Sequence, residues 1–148
     1  MVRHALAAIL GAGLLSGLAL AQPSTKSWVI KASDPTLTWG PCPPIFPGDC
    51  AIAVLHGDPA KPNADVFLRV GPAYVLPPHL HTSAERITLV TGELDLQYQG
   101  NPAQTVAEGS YAYGPAKLPH KGKCVSKGPC TLFIAFEEPV DAIATPDF

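Results

Sequence analysis

Proline and glycine divide this chain into short segments and leave little room for long helices. The 148 residues include 17 Pro and 13 Gly, and after residue 21 these residues are spread along the chain rather than clustered. Pro cannot continue a helix, and Gly weakens one. The apolar stretches between them are rich in Val, Ile, Leu, Tyr, Phe and Thr, and they lack a helical period. We therefore predict an all-β fold.

Nine short stretches have the composition of β-strands. They are Trp28–Lys31, Thr36–Trp39, Ala51–His56, Asp65–Val70, Glu85–Thr91, Leu94–Gln99, Thr105–Ala107, Ser110–Tyr113 and Thr131–Glu137. Turn-forming residues separate them, most clearly at Gly57-Asp58-Pro59, Thr91-Gly92-Glu93 and Glu108-Gly109. Many short strands with regular turns indicate a sandwich or a barrel.

Alternation along the strands predicts which side chains face the interior, because successive side chains point to opposite faces. The residues predicted to face inward are Glu85, Ile87, Leu89, Leu94, Leu96 and Tyr98, and those predicted to face outward are Arg86, Thr88, Asp95 and Gln97. The stretch Thr131–Phe136 is apolar at both its odd and its even positions, and therefore on both faces of a strand. It is therefore either a central strand or part of a subunit interface.

The first 21 residues differ from the rest of the chain. A short basic start with Arg3 precedes the apolar run Ala5–Ala21, which ends in Ala19-Leu20-Ala21. This pattern predicts a signal peptide at residues 1–21 with cleavage before Gln22. The alternative is an uncleaved membrane anchor. The apolar run is barely long enough to span a bilayer, and its three Gly weaken it as a helix, so this alternative is disfavoured. We expect an exported protein, periplasmic or extracellular, with residues 22–148 as one domain and no membrane span in it.

The charge of this exported part argues against nucleic-acid binding. It carries 9 Lys and Arg (10 less Arg3) against 12 Asp and Glu, so its formal net charge is 9 − 12 = −3. No basic stripe is present that could neutralise a phosphate backbone.

Four Cys lie in the exported part, where an oxidising compartment favours disulfides. Four Cys allow three connectivities. We favour the nearest-neighbour pairing, Cys42 with Cys50 and Cys124 with Cys130, because each pair flanks a short loop rich in Pro or Gly. A Cys metal site or a reactive thiol is the alternative, but neither pair has the two-residue spacing of such sites.

A group of His and Glu residues points to a metal site. His79 and His81 are two residues apart and project to the same side of an extended segment. Glu85 follows four residues later, and Pro77-Pro78 stiffens the approach. Two imidazoles and a carboxylate directed at one point suit a divalent transition ion.

A further protein ligand would help to close such a site. His120 follows Pro119 at a plausible loop-to-strand junction, whereas His56 ends a strand at a turn and is predicted to be a solvated surface residue. The alternative is that these His are ordinary surface residues, since His-x-His also occurs by chance. The added Glu85 and His120 favour the metal site, because the residue types match what a divalent ion needs.

The same residues resemble the two sequence motifs of the cupin family. His79-x-His81, three residues, Glu85, six residues and Gly92 fit the first motif, with Gly71 a looser match. The second motif is matched in type and spacing by Gly109, Pro115 and His120, but Lys117 replaces the expected Gly and Cys124 the expected Asn. The departures concern local turns and not the proposed ligands.

The resemblance covers about residues 65–137 and implies a single cupin jelly-roll β-barrel with the metal inside its mouth. It implies His79, His81, Glu85 and His120 as ligands of one divalent metal (Fe, Mn, Zn, Ni or Cu) and a tendency to pair as homodimers. The family includes dioxygenases, isomerases, epimerases, decarboxylases and non-catalytic binders, so the fold alone does not determine function.

Two functional hypotheses follow. The first is an enzyme, a dioxygenase or an isomerase-type cupin among these classes, that acts on a small chelating molecule. Tyr98, Tyr111 and Tyr113 are its candidate cavity residues, although they are equally compatible with an ordinary core or interface. The second is a non-catalytic module that binds a metal or senses a small ligand, since no further acid–base pair or nucleophile motif is visible.

Overall fold

The structure, a computed structural model, describes residues 26–148. The predicted signal peptide at residues 1–21 lies outside the described residues. Within the described part there are eleven strands and no helix, which confirms the all-β prediction. They are β1 Gly40–Pro41, β2 Cys50–His56, β3 Ala64–Val70, β4 Val75–Leu80, β5 Glu85–Thr91, β6 Glu93–Tyr98, β7 Gln104–Ala107, β8 Tyr111–Gly114, β9 His120–Cys124, β10 Cys130–Phe136 and β11 Ile143–Ala144.

The strands form two antiparallel sheets that face each other as a jelly roll. One sheet has the order β1-β2-β3-β10-β5-β8, and the other has the order β11-β4-β9-β6-β7. The core between them is mostly aliphatic and includes Val66, Leu89, Leu94 and Leu132, each at most 2% exposed. Among residues 26–148, no helix is long and apolar enough to cross a membrane.

The predicted alternation is confirmed in both strands that flank Gly92. Ile87 and Leu89 are buried on β5, whereas Arg86, the second residue of the strand, is exposed. On β6, Leu94 and Leu96 are likewise buried. Strand β10 pairs with β3 on one side and β5 on the other, so its apolar character reflects a central position in the sheet.

Two predicted strands near the start of the described chain are wrong. Residues 28–31 and 36–39 have no strand structure before position 40. Their aromatic side chains instead pack on the outside of the sheet: Trp28 stacks on the exposed His56, and Arg69 lies over the Trp39 ring at 4.0 Å. The strand prediction rested on the Val, Ile, Leu and Thr residues of these segments, which form no β-ladder here.

Strand β4 was missed because it contains two prolines. Pro77 and Pro78 lie where the ladder with β9 is irregular, between the pairs Leu76–Gly122 and His79–His120. A proline lacks the N–H that a regular ladder needs, so an irregular stretch tolerates it. The C-terminal tail also joins this sheet, because Ile143 and Ala144 pair with β4 as β11.

The two disulfides follow the predicted nearest-neighbour pairing. Cys42 is bonded to Cys50 with a Cα–Cα distance of 5.6 Å, and Cys124 is bonded to Cys130 at 5.8 Å. No free cysteine remains in the described part of the chain. The first bridge closes a loop beside β1 and β2, and the second joins β9 to β10 across the two sheets.

Candidate metal centre

Three histidines converge in the interior because of strand pairing. His79 on β4 lies directly opposite His120 on β9, and His120 lies opposite Tyr98 on β6. His81 follows β4 by one residue on the same face as His79. The three imidazoles are 3–8% exposed, and the nitrogen that each offers lies within 4.8 Å of the other two. The predicted His79, His81 and His120 therefore form one cluster able to bind a metal ion.

Glu85 reaches this cluster from the opposite sheet. Its Oε1 lies 3.2 Å from Nε2 of His120, and its Oε2 lies 3.5 Å from Nε2 of His81. Gly114 lies opposite Glu85 on the neighbouring strand β8. A Cβ at position 114 would lie 2.7 Å from Oε1 of Glu85, so this glycine leaves the space that the carboxyl group occupies.

Backbone carbonyls orient the three imidazole rings. Nδ1 of His79 bonds to the Pro77 carbonyl at 2.7 Å, Nδ1 of His120 bonds to the carbonyl of Leu118 at 3.3 Å, and Nδ1 of His81 bonds to the carbonyl of Asp141. A carbonyl only accepts hydrogen bonds, so each Nδ1 carries the proton. Each neutral ring therefore keeps its lone pair on Nε2, the nitrogen available to the interior.

Burial keeps these imidazoles neutral. Desolvation lowers the pKa of His79 to about 4 and that of His120 to about 3, and it also lowers the pKa of His81. Desolvation raises the pKa of the Glu85 carboxyl to about 8. At neutral pH the site thus holds three neutral rings and a carboxyl that is mostly protonated.

This donor set fits a divalent transition ion. Three imidazole lone pairs and a carboxyl group meet in a buried space, and no cationic side chain pairs with the carboxyl among the described residues. A cation there would favour the ionised form of Glu85, since opposite charge lowers the pKa of a carboxyl. Imidazole and carboxylate together suit Fe, Mn, Zn, Ni or Cu.

The three tyrosines named from the sequence occupy different places. The Tyr98 ring lies 5.2 Å from the His120 ring, and its hydroxyl donates to Oε1 of Glu85 at 3.4 Å. Tyr111 and Tyr113 are 63% and 51% exposed and line a separate groove of about 520 Å³ together with Tyr98. Only Tyr98 therefore contacts the cluster, and burial raises its pKa, so it remains a neutral donor.

An apolar cavity of about 50 Å³ adjoins the histidines. This volume has room for only a few water-sized groups. Its walls are mainly aliphatic and aromatic side chains: Ile52, Val66, Leu68, Leu76, Ile87, Leu94, Leu96, Leu132, Ile134 and Phe136. Asp141 is its only ionisable wall residue besides the histidines among the residues that the structure describes.

Two neighbours of the histidines were not found from the sequence. Phe46, in the loop closed by Cys42–Cys50, packs edge-on against His79 with ring centroids 4.7 Å apart. Asp141, near the C-terminus, contacts His81. Both lie far from the His-rich segment in sequence, and neither belongs to a motif, so only the tertiary structure places them here.

Comparison with known proteins agrees with the fold. Residues 66–136 match the family described as the cupin domain. The polyketide cyclase RemF from Streptomyces resistomycificus is similar in structure, with a TM-score of 0.65 and 17% identity over 82% of this chain and 88% of that one. An RmlC-like cupin from Shewanella frigidimarina NCIMB 400 has a TM-score of 0.59 and 15% identity, over 71% of this chain and 86% of its own.

DMSP lyases are also similar in structure but longer. DddQ from Ruegeria pomeroyi DSS-3 has a TM-score of 0.62 and 16% identity over 74% of this chain, which spans 61% of the lyase. This chain spans 63% of the length of the protein in another DMSP lyase structure. No curated protein matches the chain in sequence. The match shows that residues 66–136 of this chain are a cupin domain, and the structural neighbours share its jelly-roll fold.

Proposed function

We propose that this protein binds one divalent transition metal through His79, His81, His120 and Glu85, and that it is an enzyme acting on a small chelating molecule. The observation that carries the proposal is the cluster of three buried imidazoles whose Nδ1 protons are all held by backbone carbonyls. Rings fixed in this way are preorganised as ligands, because their Nε2 lone pairs need no rearrangement.

Glu85 completes the proposed ligand set. It is 2% exposed and its two oxygens lie near two of the histidines. A buried carboxyl with no cationic partner is costly in its charged form. Metal binding offsets this cost, because the ion supplies the missing opposite charge.

The cavity favours a small substrate with an apolar body. Its walls carry no Lys or Arg among the described residues, so a highly charged molecule would lose its hydration without a protein counter-charge. A compact molecule with one chelating group and a short aliphatic part fits better. A bound transition metal would supply Lewis-acid chemistry and, if it is iron or manganese, redox chemistry with dioxygen.

Tyr98 is the protein group best placed to assist such a reaction. Its hydroxyl lies beside Glu85 and its ring lies against His120. Because the phenol stays protonated, it acts as a hydrogen-bond donor and not as a base. Asp141 is the only acid or base on the cavity walls besides the histidines among the described residues, so we propose an oxygenase type of reaction rather than one that depends on a pair of protein acids and bases.

The structural relatives support an enzyme without fixing the reaction. They include lyases that act on DMSP, a polyketide cyclase and an oxalate oxidase. The two disulfides also support an oxidising compartment, and we propose export to the periplasm or the cell exterior.

A second candidate function is metal or small-ligand binding without turnover. The size of the cavity favours it, since about 50 Å³ beside the histidines leaves little space for a substrate. Phe46, Val140 and Ala142 line the same cavity and reduce access further.

Metal content measured by elemental analysis tests the site. The wild type should bind close to one ion per chain, and His79→Ala and His120→Ala should each lower occupancy at least about tenfold under limiting metal. His56→Ala is the matched control, because His56 is exposed and stacks on Trp28 away from the cluster. Full occupancy in both cluster variants would refute the proposed ligand set.

Oxygen uptake then separates the two functions. The loaded wild type is incubated with small diketones, diols and hydroxy acids, and Tyr98→Phe serves as the variant that keeps the ring but removes the donor. Oxygen uptake by the wild type that is lower in Tyr98→Phe supports the enzymatic function. A fully loaded protein that neither consumes oxygen nor forms product with any of them supports the binding module.

A further inference from the structure

The C-terminal segment contacts the cluster through the pairing of Ala144 with His79 and, at an imidazole ring, through Asp141. Its backbone carbonyl accepts the Nδ1 proton of His81, and it lies 60 residues later in the chain. It also lies beyond the residues 66–136 that match the cupin family. The corresponding carbonyls for the other two histidines come from residues only two positions away. His81 is thus the one ring of the cluster whose orientation depends on a distant part of the chain.

The side chain of Asp141 holds the residue next to His81. Its Oδ1 accepts the backbone N–H of Thr82 at 2.9 Å, and its Oδ2 accepts the Thr82 hydroxyl at 2.7 Å. One residue therefore bonds to two consecutive positions, through its carbonyl to His81 and through its carboxylate to Thr82. The carboxylate cannot move away without breaking two hydrogen bonds.

Ser83 strengthens the same attachment. It is 1% exposed, and its Oγ accepts the backbone N–H groups of Glu137 at 2.9 Å and Glu138 at 3.0 Å. The short connection between the ligands His81 and Glu85 is thus tied to the C-terminal segment at two successive residues.

We infer that Asp141 is a positioning residue for the metal site, and that its carboxylate holds the Asp141 carbonyl against His81 by clamping Thr82. This inference rests on the proposed function, since it assigns His81 as a ligand. The clamp keeps His81 in the tautomer with the proton on Nδ1 and directs Nε2 to the cluster.

Three variants separate the clamp from charge and from general stability. Asp141→Ala removes both side-chain bonds. Asp141→Asn keeps an oxygen for the Thr82 N–H and offers an amide N–H to the Thr82 hydroxyl, so it preserves the clamp without the charge. Asp147→Ala is the matched control, because Asp147 is an exposed carboxylate of the same segment that bonds Lys121 at 2.7 Å away from the cluster.

The affinity for Zn²⁺, measured by competition with a chelator, is the first readout. Asp141→Ala should bind Zn²⁺ about tenfold or more weakly than the wild type, which is the usual effect of removing a group that orients a ligand. Asp141→Asn and Asp147→Ala should stay within about twofold to threefold of it. Equal weakening in Asp141→Asn and Asp141→Ala would overturn the inference, because charge and not the clamp would then be responsible.

Nitrogen-15 NMR of the metal-free protein is the second readout and does not need metal. The His81 ring of the wild type should be a single tautomer protonated at Nδ1, and Asp141→Ala should show a mixture of tautomers while Asp141→Asn retains one. An unchanged His81 tautomer in Asp141→Ala would overturn the inference even if the wild type binds Zn²⁺. A wild type that binds no Zn²⁺ but shows the predicted tautomers would defeat the proposed function and leave the clamp intact.

Discussion

The two ends of the sandwich bury opposite kinds of side chain on the same strands. Strand β9 begins with His120, 5% exposed, and ends with Cys124, which is fully buried. Strand β5 begins with Glu85 and reaches the fully buried Leu89 four residues later. Four residues of a strand span about 13 Å. Each strand therefore passes from ionisable groups at the metal end to an apolar end.

The difference indicates which end stabilises the fold. The apolar end removes hydrocarbon and a disulfide from water, and both stabilise the folded chain. The metal end desolvates four ionisable groups, which opposes folding unless a cation is bound. We therefore expect the metal end to control the dependence of stability on pH and metal, and the apolar end to contribute stability that depends on neither.

The largest expected effect is the response of the metal-free protein to pH. His79, His81 and His120 have folded pKa values below their ordinary 6.5, so the unfolded chain binds more protons and stability rises with pH from about 4 to 6.5. Glu85, at about 8 against an ordinary 4.5, binds its proton more tightly when folded, which lowers stability as the pH rises from about 4.5 to 8. It therefore offsets part of the rise below pH 6.5 and leaves a net fall from 6.5 to 8. Each net proton changes the free energy of unfolding by about 1.4 kcal/mol per pH unit.

Urea unfolding of chelator-treated protein between pH 4.5 and 8.5 checks this profile. We expect several kcal/mol of change and a maximum near pH 6.5. Glu85→Gln is the control, since it should abolish the fall above pH 6.5 and steepen the rise below it. A flat profile in the wild type would contradict the account of the metal end.

A smaller effect is expected from the apolar end. The double change Cys124→Ala with Cys130→Ala should lower the free energy of unfolding by about 2–3 kcal/mol, because the unfolded chain gains freedom. The affinity for Zn²⁺ should not change, since the bridge lies at the opposite end from His120 on β9. Urea unfolding and chelator competition measure the two quantities.

The other disulfide offers the matched comparison. Changing Cys42 and Cys50 to Ala should cost a similar stability, but it should also weaken Zn²⁺ binding, because the loop holds Phe46 against His79. Equal effects of the two double variants on affinity would contradict the proposed role of the Cys42–Cys50 loop in supporting His79.

The smallest effect is expected from single changes in the two disulfide loops. Phe46→Leu keeps most of the apolar volume and should cost less than about 1.5 kcal/mol of stability, with a mild loss of Zn²⁺ affinity as the ring contact with His79 disappears. Val125→Ala in the other loop, where the side chain is 39% exposed, should stay within about 0.5 kcal/mol and leave affinity unchanged. Affinity that falls more in Val125→Ala than in Phe46→Leu would contradict this account.

The sequence predicted the strands that are buried on one face. Strands β5 and β6 show a period of two, and this period determines which side chains face the core. The convergence of His79, His81 and His120 was predicted from their motif spacing, and the structure brings them together. The assignment of Glu85 as a metal ligand stays a prediction.

Two strands that have neither such a period nor a continuous apolar run were not predicted. Strand β4 carries two prolines, and β9 has Lys121, Gly122 and Lys123 between His120 and Cys124. Both become strands because their neighbours in the sheet pair with them, not because of their own composition. Phe46 and Asp141 were missed for a related reason, since packing of distant segments brings them to the histidines.

Anomalous diffraction from crystals of the Zn²⁺-loaded protein tests the central claim most directly. We predict a single strong peak at the zinc edge within bonding distance of His79, His81 and His120, about 2.0–2.1 Å from each ring nitrogen, with a Glu85 oxygen beside it. A peak bound by other residues, or no peak between the three imidazoles at full occupancy, would contradict the account.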